Sequence, residues 1–134
     1  MRLLLQIALV SIGSAAGGLT RWGVAVIAAR WFGTAFPWGT FFINISGSLF
    51  LGWFSTVLTD RLLTQPLAWI RPDDLRLLVA VGFTGAYTTF STFEYESDTL
   101  LREGNGLPAL IYILGSVFLG LVAVRCGILI ARWR

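Results

Sequence analysis

The sequence predicts an all-α membrane protein with four transmembrane helices, the third of them broken. Three observations predict it. Hydrophobic residues make up 56% of the 134 residues and charged residues only 13%, against about 25% charged in a soluble domain. Mean hydropathy is +0.77. Long apolar stretches alternate with short segments rich in Pro, Gly and charge. A chain so poor in charge cannot cover a globule with polar surface, whereas a face turned to lipid is apolar. The length suits one domain, 1–134, and no internal repeat is visible.

The first span runs from about residue 3 to residue 29 and is read as a retained helix, although its basic start and apolar run resemble a signal peptide. Gly13 and Gly17 form a small-xxx-small pair, which lets helix backbones approach closely. Arg21 lies inside this span. The second span opens at Pro37 and Trp38, with Pro suited to a first helical turn, and ends near Leu58. Residues 59–74 read as a loop, with a short interfacial piece around Leu67, Ala68 and Trp69. The third span starts at Pro72, Asp73 and Asp74, a helix-start signal. Its apolar run is short and passes into GFTGAYTTFSTFEYES, rich in Gly and hydroxyls. Irregular backbone at membrane depth survives only when buried in protein or lining a wet cavity, so an interruption is expected near 82–89. The fourth span opens at Leu107 and Pro108 and runs to about Ile130. Arg2, Arg61, Arg71, Arg76, Arg132 and Arg134 fall on the side of the termini, which favours termini inside.

Composition excludes several chemistries. All ten basic residues are Arg and there is no His, which removes the commonest general base and metal ligand. Cys126 is the lone cysteine and reads as a small apolar filler. The sequence pI is near 9.8, but the net charge is +3 and the arginines are scattered, so nucleic acid is not expected. No hydroxyl has a general base beside it, and no enzyme is expected.

Polar residues within spans are functional candidates, and here they keep helical register. Thr40, Asn44 and Ser48 are four apart on the second span, as are Tyr112, Ser116 and Gly120 on the fourth. On the third, Phe90 and Phe93 are followed by Glu96. Each has a duller reading. Membrane Ser and Thr bond back to the preceding turn, Asn44 glues helices, Phe90 and Phe93 face lipid, and Arg21 snorkels. Together the stripes offer neutral donors and aromatic ring edges, which carry positive charge density. That suits a small anion.

The stretch GFTGAYTTFSTFEYE (82–96), with PWGTFFINISGSLFLG (37–52), GSAAGGLTRW (13–22), Tyr112 and Ser116, resembles the Fluc (CrcB) family of bacterial fluoride channels over nearly the whole chain. The resemblance implies a dual-topology, antiparallel homodimer in the bacterial plasma (inner) membrane, with two pores passively exporting fluoride. It implies that ring edges of Phe90 and Phe93 face fluoride and that the Asn44 amide points into the pore. Tyr112 and Ser116 lie on a polar track, with Ser91, Thr92 and Thr40 nearby. Glu96 sits toward the far end and Arg21 in a vestibule. Backbone carbonyls of Gly85 and Thr88 hold one structural Na+ on the dimer axis. Gly120 departs from the family pattern, where another Ser is usual. Two other readings stand beside this one. A small proton-coupled multidrug exporter wants an acid in mid-membrane on the first span, which is absent. A non-transporting scaffold would use the stripes only for packing.

Overall fold

The computed structural model describes residues 1–63 and 70–133. The piece expected around Leu67, Ala68 and Trp69 lies outside the described residues. Every element described is helical. Helix α1 spans Arg2–Phe32 and α2 spans Trp38–Val57, which continues in a wider, π-wound turn, Leu58–Leu62. After Pro72–Leu75 (α3), the chain winds as a π-helix over Arg76–Thr84 and closes with one α-turn, Gly85–Tyr87 (α4). Helix α5 is Phe90–Arg102 and α6 is Gly106–Arg132. Among the described residues, three helices are long and apolar enough to cross a membrane: Arg2–Phe32, Trp38–Leu62 and Gly106–Arg132.

The turns between helices have local causes. Gly33 ends α1 at φ 76, a backbone shape that costs glycine little, and its N–H reaches the Ala29 carbonyl at 3.0 Å. Gly104, at φ 78, closes α5 in a Schellman arrangement. Its N–H goes to the Leu101 carbonyl at 3.1 Å, and the Asn105 N–H to the Leu100 carbonyl at 2.9 Å. Pro72 starts α3, where its missing N–H is no loss. The second span runs past the expected end at Leu58. The Leu63 N–H bonds to the Leu58 carbonyl at 3.0 Å. Arg61 donates to the Ala131 carbonyl at 2.8 Å, and Arg132 bridges Asp60 at 3.1 Å. These bonds hold the extra turn against the end of α6.

Glycines set how closely the helices approach. A Cβ on Gly13 would fall on the Leu78 carbonyl oxygen, and one on Gly17 on that of Phe83. That notch seats α1 on the π-wound segment. On the other side, Gly127 lies against the Leu49 carbonyl, and a Cβ on Gly52 would stand 2.5 Å from the Val124 oxygen. Helix α2 therefore meets α6 backbone to backbone. The outer surface stays apolar, with Leu3, Leu4, Ile12, Leu121 and Leu129 exposed. Gly127→Ala or Gly17→Ala is expected to cost about 1–3 kcal/mol through overpacking, while Gly18→Ala, where a Cβ meets nothing within 4 Å, is expected to be silent. Thermal unfolding in detergent checks this: the first two variants melt earlier and the third with the parent.

Candidate functional site

The helix break is the centre of the site. Thr88 (φ −79, ψ 159) and Thr89 (φ −152, ψ 122) are extended, so the interruption expected within 82–89 falls on these two residues. An extended pair removes two rungs from the helical ladder. Asn44 on α2 replaces them. Its Nδ2 donates to the Thr89 carbonyl at 3.0 Å, and the Thr89 N–H donates to its Oδ1 at 2.9 Å. The side-chain amide thus pairs with the N–H and the carbonyl of one residue, as a neighbouring strand would. Glue and pore-facing donor, the two sequence readings of Asn44, are compatible, because an amide nitrogen carries two hydrogens and Thr89 takes one. Thr89 also caps α5, its Oγ1 accepting from the Thr92 N–H at 3.3 Å and donating to Thr92 Oγ1 at 3.0 Å.

One turn and a half further along α5, Glu96 is held from both sides. Thr40 Oγ1 donates to its Oε1 at 2.9 Å, and the Tyr112 hydroxyl donates to its Oε2 at 2.7 Å. Tyr112 is 0% exposed. Its ring packs with Phe93 at 5.1 Å between centroids and meets Phe36 edge-on at 5.4 Å. Two hydroxyls, from α2 and α6, therefore converge on the one carboxylate of α5, a link that sequence order hides. Register gave part of the signal, since Thr40 and Asn44 share a face of α2.

Hollows lie on two sides of this cluster. A cavity of about 710 Å³ is bordered by Thr40, Glu96, Thr99, Phe36 and Trp38. A smaller cleft, about 230 Å³, is lined by Asn44, Ser48, Thr88, Thr89 and Phe90 among others. Ser116, one turn beyond Tyr112, has a buried hydroxyl with no hydrogen-bond partner among the described residues. Such a group costs free energy unless something fills its bond. Opposite Gly120 stands Ser48, whose Oγ lies 3.7 Å from where a Gly120 Cβ would be. So α2 brings a hydroxyl to the place where α6 lacks one.

The other sequence candidates fall unevenly. Phe90 is 71% exposed and its ring lies 6.0 Å from Phe93. Ser91 and Thr92 are exposed at the start of α5. Arg21 is half-buried on α1 and lines neither hollow. Ser97 bonds back to the Phe93 carbonyl at 2.7 Å, the dull role allowed for hydroxyls. Backbone carbonyls such as those of Gly85 and Thr88 are the donor type that a hard monovalent cation takes. In a continuous helix they would accept from the N–H groups of Thr89 and Thr92. Those donors go instead to Asn44 Oδ1 and Thr89 Oγ1. No cluster of three His, Cys, Asp or Glu occurs among the described residues.

Comparison with known proteins gives a consistent match. Residues 8–128 match the family described as CrcB-like protein, Camphor Resistance. A protein of Chloroflexus aurantiacus named fluoride-specific ion channel FluC is 45% identical over 125 residues, 92% of this chain and 93% of the relative. A protein of the same name from Trichormus variabilis is 43% identical over 92% of this chain and 85% of its own. One from Magnetococcus marinus is 38% identical over 96% and 98%.

Asn44→Ala leaves the Thr89 N–H and carbonyl without partners, at about 1–3 kcal/mol for each unsatisfied group. Hydrogen exchange is expected to speed up at the first turn of α5 and to stay at the parent rate at the α2–α6 seam.

Proposed function

The chain belongs to the CrcB-like family, and from that premise we propose that it is a fluoride-selective channel that lets cytoplasmic fluoride leave the cell passively. The observation that carries the reading is the 45% identity, over 92% of the chain, to a protein named as a fluoride-specific channel. It is a multi-pass membrane protein and not an enzyme. The divided run from Pro72 to Arg102 is read as the third of four crossings, in the bacterial inner membrane.

Fluoride is small and tightly hydrated, so a selective pore must replace its water with close donors and still release it. In the proposed path, fluoride enters the cleft beside Asn44, Ser48 and Phe90. It passes the ring edges of Phe90 and Phe93 and the hydroxyl of Ser116, and leaves through the cavity at Thr40 and Glu96. The unpartnered Ser116 hydroxyl supports this course, since it is a donor with nothing yet to bond. Ring edges attract an anion without a fixed cation that would trap it. Tyr112 and Thr40 bind Glu96 at both oxygens, which fixes the carboxyl group beside the path. Ser91 and Thr92 stand at the mouth of this track and Arg21 in a vestibule.

We read the assembly as an antiparallel homodimer with two pores. The 71% exposure of Phe90 supports it, because a second subunit would cover that ring and complete the wall. Na+ would supply a fixed positive charge at the helix break. Gly85 and Thr88 would hold it through their backbone carbonyls.

The test is fluoride efflux from liposomes holding the purified protein, read by a fluoride electrode, with chloride as control. Fluoride is expected to leave rapidly and chloride to stay, without a proton gradient. Silence from folded protein would leave a scaffold, and flux that needs a proton gradient would leave an exporter. Phe90→Ala and Phe93→Ala are each expected to slow fluoride flux at least tenfold. Parent-like flux in both would sink their assignment. Native mass measurement in detergent should find the dimer, and monomer alone would reject it.

A further inference from the structure

Arg125 is an exposed arginine within α6 that the proposed pathway does not use. Helix α6 has 27 residues and is about 40 Å long, against a hydrocarbon core of about 30 Å. Arg125 stands seven residues before Arg132, about 10 Å along the helix. With the surplus length shared between the two ends, its Cα lies about 5 Å inside the hydrocarbon boundary. Its neighbours on the same helix face are Phe118, Leu121, Val122 and Leu129, all exposed and apolar. The opposite face, with Ala123, Gly127 and Ala131, is buried, and Gly127 packs against α2.

Nothing among the described residues pairs with this guanidinium. Asp60, at the same end of the bundle, is bridged to Arg132 at 3.1 Å. A charged side chain in the hydrocarbon is costly, and such residues find partners or reach an interface. Arg offers a planar fork of donors that matches a phosphate oxygen pair. We infer that Arg125 and the apolar stripe around it form a binding site for an anionic phospholipid, with the guanidinium on the phosphate and the acyl chains along Leu121, Val122 and Phe118. The charge complements an anionic headgroup, and the stripe complements its chains. A zwitterionic lipid offers the same phosphate beside a cation that repels Arg125, so the site selects net negative lipid.

The neighbouring Cys126 is the chain's only cysteine and is exposed, so a thiol-reactive fluorophore reports on this spot alone. The labelled full chain is placed in phosphatidylcholine vesicles with a small fraction of spin-labelled phosphatidylglycerol or, separately, spin-labelled phosphatidylcholine. Quenching by the anionic lipid is expected to exceed that by the zwitterionic lipid several-fold. Arg125→Gln should equalise the two, and Arg125→Lys should keep part of the preference. Should Arg125→Gln fail to fold, the lysine variant and the parent decide the matter under rising salt, which should erode the preference. Inorganic phosphate in the buffer should not compete. Equal quenching in the parent, a preference that survives Arg125→Gln, or loss of preference to free phosphate would each overturn the site. So would protection from both lipids, which would mean that a second copy of the chain covers Arg125.

Discussion

A chain that crosses a bilayer must satisfy its own backbone hydrogen bonds, because hydrocarbon offers none. The break at Thr88 and Thr89 violates that rule locally, and Asn44 repairs it by presenting an amide with the geometry of a peptide group. Much else depends on the repair. It lets α5 start afresh at Phe90, so that Phe93 and Glu96 face Tyr112. It takes the Thr89 N–H that the Gly85 carbonyl would accept in a continuous helix. It also ties α2 to the break, so the cleft beside Asn44 has walls of fixed spacing.

Glu96 shows how the same chain handles a carboxylate near the membrane interior. Charge there is expensive unless paired or hydrogen-bonded. The structure gives it one hydroxyl per oxygen, from Thr40 and Tyr112, and no cation among the described residues. Paired with Arg, the carboxylate would be neutralised and the local field lost. Held by neutral donors, it keeps its position. Fluoride itself is a small anion that wants short bonds from neutral donors, so the hydroxyls around the carboxylate are of the kind that the ion would use. That is a physical reason for the stripes of Thr, Ser and Tyr to be clustered rather than spread.

Much of this was legible in the sequence, for identifiable reasons. The long helices follow from apolar length alone, and the starts of the second and third spans from Pro37 and Pro72. Glycine and hydroxyl density marked the interruption to within a few residues. The π winding of Arg76–Thr84 was not legible, since a run of Leu and Val has no side-chain signature for a wider turn. It reflects the seat of α1 on that segment, a contact between residues more than sixty apart in the chain. Nor did the sequence reveal that Thr40 and Tyr112 meet on Glu96. Periodicity says which residues share a helix face, and it is silent about which faces meet. Ser48 opposite Gly120 is the same kind of fact: a hydroxyl absent from one helix is present on its neighbour.

The separation between Asn44 and Thr89, 45 residues, bears on how the chain is built. A ribosome delivers α2 to the bilayer well before the break leaves the exit tunnel. The amide that closes the gap is then already waiting at the right depth when Thr88 and Thr89 arrive, and the broken segment need not wait exposed in lipid for a later partner. Glu96 is different, because Thr40 precedes it and Tyr112 follows it. The carboxylate is half-held on arrival and fully held only after α6 has been threaded. Synthesis from the N-terminus therefore secures the backbone defect first and the charged side chain last.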